Sequence, residues 1–267
     1  MAKVFLFDYD HCNGCRGCQV ACKDEHCDQA WLPYAAAQPI VGQFWMKIDD
    51  VERGQVPWVK VTYEPTMCNH CADCAVMEAA PEAVYRREDG FVIIDPEKAR
   101  GIGGLAEACP FGAVYYNEEL GLAQKCTGCA HLLDDGWTEP RCVDACATDG
   151  LRFIEEEEAV ALGAVRTPEG EAHGSRIWYL NIPKRFVVGT LVDIEGDEVV
   201  IGAKAELVAP GGEVVATLET DDFGDFRFDQ VEPAAYTVRL AAGDKAIEVA
   251  ADCSEKDVYV GIIDASA

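Results

Sequence analysis

Eleven of the fourteen cysteines fall into three groups with short, regular spacings, and a twelfth, Cys109, belongs with the middle group by its own sequence context. The first group has the spacing C-x2-C-x2-C-x3-C, and the last group repeats it with an insertion between its second and third cysteines. In ferredoxins, three cysteines of such a run bind one [4Fe-4S] cluster and the fourth binds the neighbouring cluster. The pattern therefore predicts paired iron-sulfur clusters, whose bonds constrain the fold of the chain around them.

Exchange of the fourth cysteine between these two runs assigns the ligands of two clusters. Cluster A is predicted to be held by Cys12, Cys15, Cys18 and Cys146. Cluster B is predicted to be held by Cys126, Cys129, Cys142 and Cys22.

The middle group supplies three cysteines in the run CNHCADC, and no fourth cysteine follows closely. Cys109 precedes Pro110, as the last cysteine of a ferredoxin run does, but the other three cysteines of that run are missing. The two absences are complementary, so one member of a second cluster pair is predicted to be lost. The remaining cluster C is predicted to be held by Cys68, Cys71, Cys74 and Cys109. We expect three [4Fe-4S] clusters and no catalytic residue.

Zinc is the alternative metal for closely spaced cysteines, because four-cysteine zinc sites also use two-residue spacings. Two consecutive two-residue spacings and the Cys109-Pro110 ending favour iron-sulfur clusters instead. Disulfides are a second alternative. The sequence shows no secretory signal, which argues against them. Cys27 and Cys253 remain, and both are predicted to be buried thiols without a cluster.

The composition limits the classes of partner. A formal net charge of -26 makes nucleic acid and anionic membrane surfaces unfavourable partners. No apolar stretch approaches the roughly 20 residues that cross a bilayer. These observations favour a cytoplasmic location, the alternative being export of a folded complex on a twin-arginine signal carried by a partner.

The chain is predicted to be an α+β protein of two domains. Residues 1–150 are predicted to form a doubled ferredoxin-like domain, with strands near Val4 and at VPWVKVTYEP and a helix starting at Pro96. Residues 151–184 are predicted to be an acidic linker or arm. Residues 185–267 contain seven alternating segments at roughly ten-residue intervals, which indicates a seven-stranded β-sandwich.

The run from Cys12 to Cys146 resembles the iron-sulfur subunits of molybdopterin oxidoreductases of the dimethyl sulfoxide reductase superfamily. The segments PTMCNHC, AVYRREDGFVIIDPEKARG and YYNEELGLAQKCTGCAHLLDD resemble β subunits of the pyrogallol-phloroglucinol transhydroxylase type and related catechol dehydroxylases. The segment ETDDFGDFRFDQVEPAAYTVRL resembles the transthyretin-like or carboxypeptidase-regulatory sandwich at the end of those subunits. Two departures are the early Cys74, which gives C-x2-C-x2-C, and Ala235 before Tyr236 where glycine is usual.

The resemblance implies a non-catalytic electron-transfer subunit in a heterodimer or larger complex. A large partner subunit would hold molybdenum on a bis-pterin guanine dinucleotide cofactor and bind a polyhydroxylated aromatic substrate. The complex would catalyse either transhydroxylation or a reductive dehydroxylation that needs an external electron donor. The alternative is a freestanding polyferredoxin or redox sensor whose sandwich binds a protein. Lys125 and Arg16 beside cysteines are candidates for raising cluster potentials, and His70 and His131 for hydrogen bonds to cluster sulfur.

Overall fold

The computed structural model describes residues 3–243 and 245–266. The chain divides into two compact units. The first unit contains Met1–Asp50 and Tyr63–Ile182, and the second contains Val51–Thr62 and Pro183–Ala267. Within the described residues, no helix is both long enough and apolar enough to cross a lipid bilayer.

Short strands and helices build the first unit and lead into the cysteine loops. The strands and helices from the N-terminus to residue 180 are β1 (Lys3–Asp8), α1 (Gly17–His26), β2 (Met46–Gln55), β3 (Trp58–Met67), α2 (Ala75–Ala79), β4 (Val84–Arg86), β5 (Val92–Ile94), β6 (Val114–Asn117), β7 (Leu122–Lys125), α3 (Ala130–Asp134), α4 (Arg141–Asp144), β8 (Leu151–Glu155), α5 (Glu156–Ala161), α6 (Pro168–Ala172) and β9 (Ile177–Leu180). The hairpin β2–β3 crosses the division, since its outer residues 51–62 belong to the second unit.

Strand β1 is the centre of a sheet that includes the predicted linker. β8 pairs antiparallel with one edge of β1, and β9 pairs parallel with the other edge. On one face of β1, Val4 and Leu6 are fully buried against Ala159 of α5. Residues 151–180 are therefore folded into the first unit rather than forming an acidic linker or arm, because β1 needs partners on both edges to satisfy its backbone groups.

The opposite face of β1 packs on the cysteine-containing core. Phe5 and Phe7 are buried in one cluster with Trp45 and several of the predicted ligands. A second core lies beneath the hairpins β4–β5 and β6–β7. The helix predicted to start at Pro96 is a turn instead. The Asp95 carboxylate accepts the backbone N–H groups of Glu97 and Lys98, as a helix N-cap does, but no regular helix follows.

The second unit is formed by two packed sheets. Its strands are β10 (Arg185–Asp193), β11 (Glu198–Val199), β12 (Lys204–Val208), β13 (Val214–Glu219), β14 (Asp225–Val231), β15 (Ala235–Ala242), β16 (Lys245–Asp252) and β17 (Val258–Asp264). In the described residues, one sheet joins β11, β10 and β14 with β17 on β10, and the other has the order β13-β12-β15-β16. All seven predicted strands are present, and β11 is an additional strand of two residues.

Both sheets contribute to one apolar core. Phe226, Phe228 and Tyr236 are buried in it, as expected from their alternation, and Cys253 is completely buried there. The Tyr236 hydroxyl donates to the Glu232 backbone carbonyl at 3.1 Å. The core is therefore apolar, and the hydroxyl group of Tyr236 is hydrogen-bonded.

Candidate metal centres

All fourteen cysteines are free thiols, and the twelve predicted ligands lie in the first unit. Cys18 and Cys22 lie on α1 and Cys142 on α4, and the other predicted ligands lie in loops. Cys15 is exposed, whereas Cys12, Cys109 and Cys146 are half-buried. The remaining predicted ligands are buried. Cys27, outside the predicted sets, is half-buried rather than buried, because it caps the C-terminus of α1 and bridges to Gln38.

The cysteines assigned to cluster A come together at the start of α1 and the end of α4. Burial raises the pKa of Cys18 to about 12, with contributions from the charges of Cys146, Cys12 and Cys15. The backbone N–H of Leu151 donates to the Cys146 sulfur at 3.3 Å. Thiols that are 128 positions apart in sequence thus share one environment, as the exchange of fourth ligands predicts.

The cysteines assigned to cluster B are the most deeply buried set. Burial, and then the charges of Cys126 and Cys129, raises the pKa of Cys22 well above its ordinary value. The same causes act on Cys142, where burial comes first and the charges of Cys129 and Cys22 follow. Cys22 lies on α1 and Cys142 on α4, so the packing of these two helices brings the ends of the sequence runs together.

The cysteines assigned to cluster C also interact with one another. Burial raises the pKa of Cys71 to about 12, with contributions from the charges of Cys68, Cys74 and Cys109. Burial raises the pKa of Cys109 as well, and Cys68 and Cys74 contribute again. The lone cysteine before Pro110 therefore lies with the middle group.

Set B adjoins both of the other sets. Cys126 of set B interacts electrostatically with Cys68 of set C. In addition, Cys18 of set A acts on both Cys22 and Cys142 of set B. Set B thus lies near both A and C, and set A reaches the surface at Cys15.

The first C-x-x-C loop of each cysteine run has the same backbone conformation. Its third residue has a positive φ, which is 70° at Gly14, 45° at His70 and 67° at Gly128. At this position the backbone N–H points back to the first cysteine, at 3.4 Å from His70 to the Cys68 sulfur and 3.3 Å from Gly128 to the Cys126 sulfur. The left-handed turn aims N–H donors at sulfur, a geometry that stabilises thiolates and suits a bound cluster.

His26, for which no sequence pattern predicted a role, lies near the cysteines assigned to cluster B. Its Nε2 is 3.9 Å from the Cys129 sulfur, and burial followed by the charge of His131 lowers the pKa of His26 to about 3. His131 instead places Nε2 3.0 Å from a Glu25 carboxylate oxygen and stacks on Trp31. The signal for His26 is its position four residues after Cys22, on the same face of α1.

His70 does not face sulfur through its side chain. Its Nδ1 accepts the backbone N–H of Val92 at 3.1 Å, and its ring lies edge-on to Phe91. Burial, and then the charges of Lys125 and Arg176, holds the pKa of His70 well below its ordinary value. Arg16, the other predicted cation, is ion-paired with Asp50.

Within the described ranges, no three His, Cys, Asp or Glu side chains converge as tightly as a single metal ion requires. A cubane holds its four sulfur ligands farther apart than one ion does, so mutual proximity and loop geometry are the relevant test. Free thiols in three interacting sets, with backbone N–H groups directed at sulfur, fit [4Fe-4S] clusters. Bound iron would keep these thiols deprotonated despite their burial.

The sequence of this chain is similar to the sequences of known proteins. Residues 59–156 match the family described as a 4Fe-4S dicluster domain. The pyrogallol hydroxytransferase small subunit of Pelobacter acidigallici is 38% identical over 97% of this chain and 97% of its own length. The B subunit of the anaerobic dimethyl sulfoxide reductase of Escherichia coli is 34% identical over 56% of this chain and 71% of its own length.

Solved structures add little. The major pilin subunit of Bacillus cereus covers 32% of this chain and 30% of its own length, with 14% identity and a TM-score of 0.26, which is too low to indicate a shared fold. The similarity that extends over nearly the whole sequence is therefore the informative one. This protein belongs to the family of iron-sulfur subunits that includes the pyrogallol hydroxytransferase small subunit and the B subunits of anaerobic dimethyl sulfoxide reductases.

Proposed function

We propose that this chain is the electron-transfer subunit of a molybdenum oxidoreductase that acts on polyhydroxylated aromatics. The observation that carries the proposal is the 38% identity with the pyrogallol hydroxytransferase small subunit over 97% of both chains. The neighbouring positions of set B with sets A and C support it, since electrons pass between centres that lie close together. The chain itself is non-catalytic in this proposal.

Three [4Fe-4S] clusters are proposed, with the ligand sets predicted from the sequence. Cluster A takes Cys12, Cys15, Cys18 and Cys146, cluster B takes Cys126, Cys129, Cys142 and Cys22, and cluster C takes Cys68, Cys71, Cys74 and Cys109. The mutual effects of these thiols on their pKa values support the three sets. In the test, Cys109→Ser and Cys71→Ser should alter the same electron paramagnetic resonance signal, and effects on different signals would refute the assignment.

A large catalytic subunit is the proposed partner, in a heterodimer or larger complex. It would hold molybdenum on the bis-pterin guanine dinucleotide cofactor and bind the aromatic substrate. The relatives named above are a small subunit and a B subunit, which supports a partner and does not favour a freestanding polyferredoxin. Copurification of a large molybdenum-containing protein from the native host tests this, and isolation of this subunit alone with all its clusters would contradict it.

The second unit is proposed to be a transthyretin-like sandwich that contributes to contact with the large subunit. Its two sheets, its single apolar core and the resemblance of residues 219–240 to that fold support this proposal. A cytoplasmic location is proposed for the complex, with export on a partner's signal as the alternative. Fractionation of the native host distinguishes the two locations.

The reaction is tested with the purified native complex, pyrogallol and a panel of catechols, with and without a reduced viologen. Transfer of a hydroxyl without the donor would identify a transhydroxylase. Loss of a hydroxyl coupled to viologen oxidation would identify a reductive dehydroxylase that uses an external donor. If neither reaction occurs, the proposed substrate class is wrong.

A further inference from the structure

Three basic side chains converge on the loop of Cys68 and Cys71. We name Lys125, Arg86 and Arg176 the basic shell. Across residues 3–243 and 245–266, none of the three has a carboxylate oxygen within the 4.0 Å of an ion pair. This is unexpected in a chain with 48 acidic and 22 basic residues.

Arg86 is anchored to the loop through backbone carbonyl groups. Its guanidinium donates to the Cys71 carbonyl at 2.5 Å, the Ala72 carbonyl at 2.7 Å and the Gly90 carbonyl at 3.0 Å. It also lies 3.4 Å from the carbonyl of His70. Carbonyl dipoles satisfy its donors, but they leave its positive charge without a counter-ion.

Lys125 and Arg176 approach the same loop from the other elements. Lys125 is 3% exposed, and its ammonium donates to the carbonyls of Val92 and Cys126, the latter at 3.0 Å. Arg176 lies over the Phe91 ring at 4.7 Å, and its Nη1 is buried without a hydrogen-bond partner. Its backbone N–H donates to the Asn69 carbonyl inside the C-x-x-C loop. All three charges reach the buried His70 ring.

Lys125 is buried, and Arg86 and Arg176 are half-buried. Positive charges in such positions without a negative partner are unfavourable. Burial is the main cause that lowers the pKa of Arg176, and Asp89 and Glu156 oppose it only from beyond ion-pair distance. A negative charge beside the loop would offset this cost. A [4Fe-4S] core bound by four thiolates carries a net negative charge, and it would lie on the sulfur side of this loop.

We propose that the basic shell compensates the charge of cluster C and raises its reduction potential. The inference rests on the proposed function, since it requires a cluster at Cys68, Cys71, Cys74 and Cys109. Reduction adds one electron and no atom, so it makes the bound cluster one unit more negative. Nearby cations stabilise that extra charge more than they stabilise the oxidised state.

The surroundings of cluster A differ. Arg16, which lies between Cys15 and Cys18, is about 41% exposed and is ion-paired with Asp50. Its charge is therefore already balanced and is screened by solvent. The three uncompensated cations are concentrated beside clusters C and B, and Lys125 contacts the carbonyl of Cys126 in cluster B.

The test measures cluster potentials in the purified native-type complex. The probe is a titration with dithionite, which supplies the electron, followed by electron paramagnetic resonance, with the cluster C signal identified through Cys109→Ser. Arg176→Gln and Lys125→Met each remove a charge. Arg176→Lys and Lys125→Arg keep it. The matched control is Arg100→Gln, because Arg100 is exposed, donates only to the Leu120 carbonyl and has no ion pair in the described chain.

Loss of one charge is expected to make reduction of cluster C about tenfold less favourable, which corresponds to 59 mV for a one-electron couple. The charge-keeping variants and Arg100→Gln are expected to leave the potential unchanged. Iron content is measured for every variant, so a lost cluster is recognised as such, and the comparison then uses the remaining charge-removing variant. Equal potentials in iron-replete Arg176→Gln, Lys125→Met and wild-type complexes would overturn the inference. Absence of cluster signals from the wild-type complex would instead overturn the proposed function.

Discussion

Gly128 touches Phe91 so closely that no side chain fits between them. A Cβ built on Gly128 would lie 2.6 Å from the Phe91 ring, and the φ of Gly128 is 67°. We predict that Gly128→Ala destabilises the first unit by about 2–4 kcal/mol, from left-handed strain and overpacking together. Because Gly128 separates Cys126 from Cys129, loss of iron from cluster B should accompany the change.

Gly136→Ala is the control for that substitution. Gly136 has a φ of 94° but open space where its Cβ would lie, so the variant has backbone strain without a clash. The measurements are the free energy of unfolding and the iron content. Equal losses in the two variants would show that contact with Phe91 is unimportant.

In the tautomer with a proton on Nε2, His26 donates to the Cys129 sulfur, and this contact is predicted to raise the potential of cluster B. Nε2 of His26 lies 3.9 Å from the Cys129 sulfur, a distance at which an N–H group contacts sulfur. His26→Phe removes this donor and should lower the potential by about 40 mV, the equivalent of about 1 kcal/mol. In the control His131→Gln, the replaced ring faces Glu25 rather than sulfur, so the potential should not change. A redox titration followed by electron paramagnetic resonance decides between these outcomes.

Tyr179 is predicted to make stability fall at alkaline pH. Burial, and then the charge of Glu64, raises the pKa of Tyr179 to about 12. The unfolded chain loses this proton near pH 10, so the contribution of Tyr179 is complete below pH 10 and is lost between pH 10 and 12. By pH 11 the loss should be about 1 kcal/mol. Urea unfolding at pH 8 and pH 11 measures it, and the part due to this residue should vanish in Tyr179→Phe.

Asp257 is predicted to be essential to the second unit. Its carboxylate is 2% exposed and accepts from Arg53 Nε at 3.0 Å, Arg53 Nη2 at 2.8 Å and the Phe186 backbone N–H at 2.9 Å. Asp257→Ala leaves the half-buried Arg53 guanidinium without a carboxylate, although its hydrogen bond to the Lys184 carbonyl remains, and should destabilise this unit by about 2–4 kcal/mol. Calorimetric unfolding of the full chain provides the measurement.

An exposed ion pair of the same unit serves as its control. Lys60 and Asp229 are paired with side chains that are 39% and 36% exposed. Asp229→Ala should cost less than about 1 kcal/mol, because solvent screens this pair. Similar losses in the two variants would contradict the importance given to burial of the Arg53–Asp257 pair.

Much of the candidate site was predictable because cluster-binding cysteines recur at short, regular spacings in a sequence. The first two-residue spacing of each run produces the same left-handed residue, at Gly14, His70 and Gly128. The proposed exchange of Cys22 and Cys146 between clusters A and B follows from the ferredoxin run. Strand alternation likewise predicted the seven strands of the second unit, since successive side chains point to opposite faces.

Other features were missed because they depend on contacts between distant segments. The acidic run at Glu155–Glu158 resembles a solvated linker, yet it joins β8 to α5 because β8 pairs with β1. The hairpin tip around Arg53 belongs to the second unit through Asp257, 204 positions away. Pro96 is compatible with a helix start by its fixed φ, but the chain turns there instead.

The sequence by itself determined that the chain has a cluster-binding part and a β-rich part and that it belongs with iron-sulfur subunits, and it predicted the three cysteine sets. These properties reside in short spacings and periodic patterns, which act through local backbone geometry. Only the tertiary structure decided the position of set B beside both other sets, the placement of His26 beside Cys129 and the convergence of Lys125, Arg86 and Arg176 on one loop. The reason is that burial and electrostatic interaction depend on distance in space, which separation along the chain does not specify.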